Sequence, residues 1–98
     1  MKLWLDDERI APPGFLWVKT AQEAISFLKT GQVQLISLDH DLGNELAGTG
    51  YDVALFLEKS AYHNEIPPVK WEIHSANPVG RSNMLAALKK ADSFWHSQ

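Results

Sequence analysis

A short apolar run that stops abruptly in charge constrains this chain more than any other stretch. Leu35, Ile36 and Leu38 lead straight into Asp39-His40-Asp41 and a turn at Gly43. The apolar residues read as a buried strand, Val33–Asp39 with its polar end included. Packing has no use for two acids and an imidazole at a strand tip. Open parallel α/β sheets, by contrast, place their chemistry at the carboxyl ends of buried strands. The run therefore predicts both a fold class and a site.

A second strand ends the same way. Lys2–Leu5 runs into Asp6-Asp7-Glu8-Arg9, and three successive acids repel one another unless a cation or a partner charge compensates. Ala11-Pro12-Pro13-Gly14 cannot be helical, so the link to the next strand, Phe15–Lys19, is a short extended segment. It is shorter than the usual parallel crossover, which leaves the direction of that second strand open. Thr20-x-x-Glu23 matches a capping box, Ala21, Ala24, Ile25 and Leu28 recur at helical spacing, and Gly31 ends the helix. After the central strand comes a loop, Leu42–Thr49, and a helix over Gly50–Ala61 with Val53, Phe56, Leu57 and Ala61 on one face. Val69–His74 alternates apolar and polar residues, as an edge strand or one with a wet face does. Ser75–Gly80 reads as a turn, and a last helix from about Arg81 buries Met84, Leu88, Ala91 and Trp95. The order β-β-α-β-α-β-α predicts a three-layer α/β sandwich with about four mostly parallel strands, one domain over residues 1–98.

Composition narrows the function. A net charge of −3 argues against extensive duplex nucleic-acid binding, and no cysteine is available for disulfides or thiolate metal sites. No apolar run approaches the ~18 residues of a membrane span, and the acidic start has no signal-peptide core. The chain reads as a complete cytoplasmic domain.

Three strand ends thus carry polar groups: Asp6-Asp7, Asp39-His40-Asp41 and His74-Ser75. In a parallel sheet they share one rim, with neighbouring strands ~4.8 Å apart. Carboxylates converging there make a hard oxygen site suited to Mg²⁺ or Mn²⁺. Asn77 precedes a helix whose free amides favour an anion, and Arg81 adds a cation in its first turn. Acids for a metal, a helix start and an arginine point to phosphate chemistry. Strict alternation sends His40 away from Asp39, and His74 away from Ser75. The four tryptophans read mainly as core, Trp17 and Trp71 being the two placed to stack a base.

The pattern resembles a response-regulator receiver domain. More specifically LWLDDER, ISLDHDLG, GTGYDV and IHSANPVGR, in that order, are similar to the cyclic-phosphate processing receiver family (cREC). The resemblance implies a truncated receiver/flavodoxin-like fold lacking the first helix and the last strand–helix unit, and with that unit the usual lysine. It implies Mg²⁺ held by the acidic pair, with Asp39 at the phospho-acceptor position and Ser75 against the phosphoryl group. Read together, Asp6, Asp7, Asp39 and Asp41 are candidate metal ligands. Asp39, His40 and His74 are candidate catalytic residues, and Ser75, Asn77, Arg81 and Arg9 candidate phosphate ligands. The expected activity is a metal-assisted phosphoesterase acting on a cyclic phosphate, with a cyclic or phosphorylated nucleotide or an RNA end as ligand. A phospho-accepting signalling module and a binding-only protein are the alternatives.

Overall fold

The computed structural model describes residues 1–97. Gln98, the last residue of the single domain expected over 1–98, lies outside the described residues. Four strands form one parallel sheet in the order β2-β1-β3-β4. They are β1 (Lys2–Leu5), β2 (Leu16–Val18), β3 (Leu35–Leu38) and β4 (Lys70–Ile73). The helices are α1 (Ala21–Leu28), α2 (Gly50–Tyr62) and α3 (Pro78–His96), with one 3₁₀ turn at Glu45–Ala47.

The direction left open for the second strand is parallel: Trp4 pairs with Trp17 across β1 and β2. An extended Pro-rich segment rises ~3.1 Å per residue, so the short link spans a strand of three without a helix. β4 lies at the sheet edge, as its alternation predicts. The last helix begins three residues before the expected Arg81. Asn77 caps it by accepting from the Gly80 amide, and Pro78 occupies the first turn, where its missing N–H costs nothing. A reciprocal capping box between Thr49 and Asp52 starts α2.

The sandwich has two layers where three were expected. The crossovers β2-α1-β3 and β3-α2-β4 both travel in the same direction along the sheet, so a common handedness puts their helices on one face. There α1 packs on α2 and α2 on α3. The step from β1 to β2 travels the other way, and a helix in it would have covered the second face. Pro12-Pro13-Gly14 stands in its place. Burial follows suit: Leu3, Leu5, Ile36 and Leu38 are fully buried under the helices with Val53, Leu57, Met84 and Leu88. The alternate positions Lys2, Trp4, Lys70 and Glu72 are exposed or half-buried. Ser37 is the exception on that side, fully buried beneath Trp4 and His74. Among the described residues no helix is long and apolar enough to cross a membrane.

Candidate functional site

All strands run the same way, so their carboxyl ends share one rim. One carboxylate oxygen each from Asp6, Asp7 and Asp39 lies within 4.8 Å of the others. The backbone holds these side chains in different ways. Asp6 is buried, and its Oδ1 accepts from the amides of Glu8 (2.8 Å) and Arg9 (2.9 Å), tying the turn after β1 to the carboxylate. Asp39 Oδ1 accepts from the next amide, that of His40, at 2.9 Å. Asp7 lies against Gly43, whose positive φ (94°) and missing Cβ allow the approach.

Electrostatics suit the cluster to a cation. Burial alone would raise Asp6, but the Arg9 and Glu8 amides and the His74 ring bring its carboxyl below the ordinary value. Asp39 goes the other way. Its burial, together with the negative charge of Asp6, outweighs the His40 amide and holds it above the ordinary value. A divalent ion would relieve that repulsion, and three carboxylates are the hard donors such an ion takes. The sign for pH follows. A protonated Asp39 cannot ligate, and its raised value moves proton competition upward. Affinity for a divalent cation should therefore begin to fall, as pH is lowered, above the usual carboxylate range. Calorimetric titration between pH 7 and 4 checks it; Asp39→Asn should flatten the upper part of that dependence.

The two candidate histidines sit on opposite sides of the rim. His74 faces the uncovered side. Its Nε2 is 3.0 Å from Asp6 Oδ2, its Nδ1 is 2.8 Å from Ser37 Oγ, and its ring stacks on Trp4 at 3.8 Å. Both ring nitrogens are committed, so His74 orients a carboxylate, as groups behind metal ligands do. His40 faces the helices. Its Nδ1 donates to Asp41 Oδ1 at 2.9 Å, and Asn77 Nδ2 donates to Asp41 Oδ2 at 3.3 Å. In the neutral ring with its proton on Nδ1, Nε2 carries the lone pair. Asp41 thus stands apart from the three-carboxylate cluster, its two oxygens occupied by His40 and Asn77. Those bonds hold its carboxyl below the ordinary value.

The other candidates close the rim around β4. Ser75 is buried and its Oγ accepts from the Asn77 amide at 3.1 Å. Arg9 donates to the His74 carbonyl and Arg81 to the Ile73 carbonyl, each at 2.9 Å, so two guanidiniums flank the strand end. Each keeps further donors for an anion.

Four residues that position the site had no role in the sequence reading: Ser37, Trp4, Gly50 and Gly80. A polar Ser37 inside an apolar strand was the one available signal. A Cβ on Gly80 would overlap the His40 ring, and one on Gly50 would overlap the Asp39 carbonyl. Gly80→Ala should therefore cost about 1–3 kcal/mol in denaturant unfolding, whereas Ser82→Ala, at an exposed position of the same helix, should stay within about 0.5 kcal/mol.

No curated protein and no solved structure matches the chain. The family model described as the cyclic-phosphate processing receiver domain matches residues 1–90 of the 98. The three-carboxylate rim, the parallel sheet and that match over nearly the whole length agree: the chain belongs to the cyclic-phosphate processing receiver domain family.

Proposed function

We propose that the chain hydrolyses one ester bond of a cyclic phosphate, with His40 as the proton-transfer group. The Asp41–His40 pair beside the Asp6, Asp7 and Asp39 cluster carries this reading. A phospho-switch built on Asp39 has no use for a histidine oriented by a second carboxylate. Opening a cyclic ester needs one: water must lose a proton, and the departing ring oxygen must gain one. His40 Nε2 takes the first and returns the second, while one P–O bond forms and another breaks. Asp41 keeps the imidazole in the required tautomer, as the carboxylate of a catalytic triad does. Asn77 fixes Asp41 in turn.

Asp6, Asp7 and Asp39 would hold Mg²⁺ or Mn²⁺, which supplies Lewis acidity toward a phosphoryl oxygen. His74 and Ser37 keep Asp6 aligned. Arg9, Arg81, Ser75 and the first turn of α3 face the anion, and a cyclic nucleotide or an RNA end is the ligand class. The test is incubation of the folded protein with 2′,3′-cyclic nucleotides and cyclic dinucleotides, with Mg²⁺, Mn²⁺ or chelator. Cation-dependent ring opening supports the reading; no product from any of them, with the fold verified by circular dichroism, removes it.

A further inference from the structure

The face left without helices is not uniform. Because β1 and β2 pair in register, Trp4 and Trp17 stand side by side on it. Phe15 sets its edge against Trp4 with centroids 6.0 Å apart. Lys2 lies 5.6 Å from the Phe15 ring and Lys19 4.5 Å from the Trp17 ring. On the same face β4 presents Lys70 and Glu72, while its alternate residues Trp71 and Ile73 turn to the helix side, where Trp71 Nε1 donates to Asp92 of α3. The chain as a whole is at −3, yet this face sets Lys2, Lys19 and Lys70 against Glu72 below the rim. At the lower edge of the sheet a cleft of about 910 Å³ runs from Lys2, Leu35 and Lys70 round to Trp71 and to Asp92 and Trp95 of α3. The upper end of the face is the site itself: Trp4 stacks on His74, and His74 bonds Asp6.

We propose that this face binds the bases of a single-stranded oligonucleotide and leads its terminal phosphate to the carboxylate rim. Aromatic rings on an open surface, interleaved with lysines, are the chemistry that holds single strands. Every base has a face to stack, and every phosphodiester a charge to neutralise. The continuity with the rim selects this occupant over a protein surface. From Lys2 to Asp6, β1 covers ~13 Å, the length of a few bases, and ends at the groups that would act on a phosphate. A duplex is not the ligand, since its bases are hidden from the rings. The inference rests on the phosphoesterase reading only for where the strand end goes.

The test uses oligouridylates of two, four and six nucleotides with plain 3′-hydroxyl ends, in chelator, followed by tryptophan fluorescence and by anisotropy of a labelled strand. Binding should quench the fluorescence and tighten with length, levelling off by the hexamer. Trp17→Ala should weaken it about 5- to 150-fold, the worth of one stacked base. Lys2→Glu with Lys70→Glu changes two exposed positions that the fold does not need, and should lower the salt slope by about 1.4. Lys89→Glu, an exposed charge reversal on α3 on the opposite side of the sheet, should leave the salt slope as in the parent. Absence of quenching, equal affinity for a duplex of the same length, or indifference to the lysine pair overturns the proposal. So does a dimer in sedimentation that the lysine pair dissociates without any oligonucleotide effect, which would assign the face to a second copy. Ring opening of a mononucleotide without oligonucleotide binding would remove the platform and leave the site. Binding without ring opening would do the reverse.

Discussion

His40→Ala should slow the opening of a cyclic phosphate by about 10²- to 10⁴-fold, the usual worth of one positioned proton-transfer group. The substitution removes a half-buried ring and leaves the helix cap and strand ladder untouched, so the melting temperature should move by only a few degrees. Two companions separate proton transfer from positioning. Asp41→Asn keeps the shape but no longer fixes the proton on Nδ1, so the rate should fall and its pH profile should change. His74→Ala acts behind Asp6 and should instead weaken the cation about 10- to 100-fold, as losses behind a metal ligand do. Raising the cation concentration should then rescue His74→Ala but not His40→Ala. A His40→Ala protein as active as the parent would end the proposed mechanism.

Millimolar Mg²⁺ or Mn²⁺ should raise the melting temperature by roughly 10–20 °C. A cation that binds only the folded chain stabilises it by about 2.7 kcal/mol at a hundredfold excess over Kd. In a domain of this size each kcal/mol moves the midpoint by ~4–8 °C. Asp7→Asn and Asp39→Asn should shrink the shift. The sign in chelator is the opposite. Asp39 is held above its ordinary value, so its ionised form costs the fold stability at neutral pH. That cost disappears as pH falls through the raised value, and Asp39→Asn should remove it outright. The variant is therefore expected to melt higher than the parent without cation and lower with it. Equal melting curves for all three proteins under both conditions would mean that the acidic strand ends hold no ion.

The fold was legible because its signals are local. Apolar runs stop at acids, Pro12-Pro13 forbids a helix, and Met84, Leu88, Ala91 and Trp95 keep helical spacing; all four of these last are buried. The cluster of Asp6, Asp7 and Asp39 was legible too, because parallel strands necessarily bring their carboxyl ends together. Less local features were not. The layer count depends on the direction each crossover takes, which hydrophobic spacing does not encode. The commitments of Asp41 and His74 depend on which neighbour turns toward them. Nothing about Ser37 or Asn77 in the sequence says that one meets an imidazole across two strands and the other a carboxylate. The start of α3 was misplaced because Asn77-Pro78 reads equally well as a turn and as a cap with a proline behind it.

The strand order also bears on how the chain reaches this state. Among the described residues no two strands are joined by a hairpin: Lys2 pairs with Leu35, and Leu35 with Lys70. Each of those contacts closes a long loop before any ladder bond repays the entropy. Folding dominated by such non-local pairing is slow, on the order of milliseconds to seconds. Of the four strands, the first in chain order is an interior one, flanked on both sides in the finished sheet. Its second neighbour, β3, comes only after α1 in the chain. Substitutions in α1 that weaken its cap at Thr20 should therefore slow folding more than they speed unfolding, while those in β4, the last strand to arrive, should do the converse.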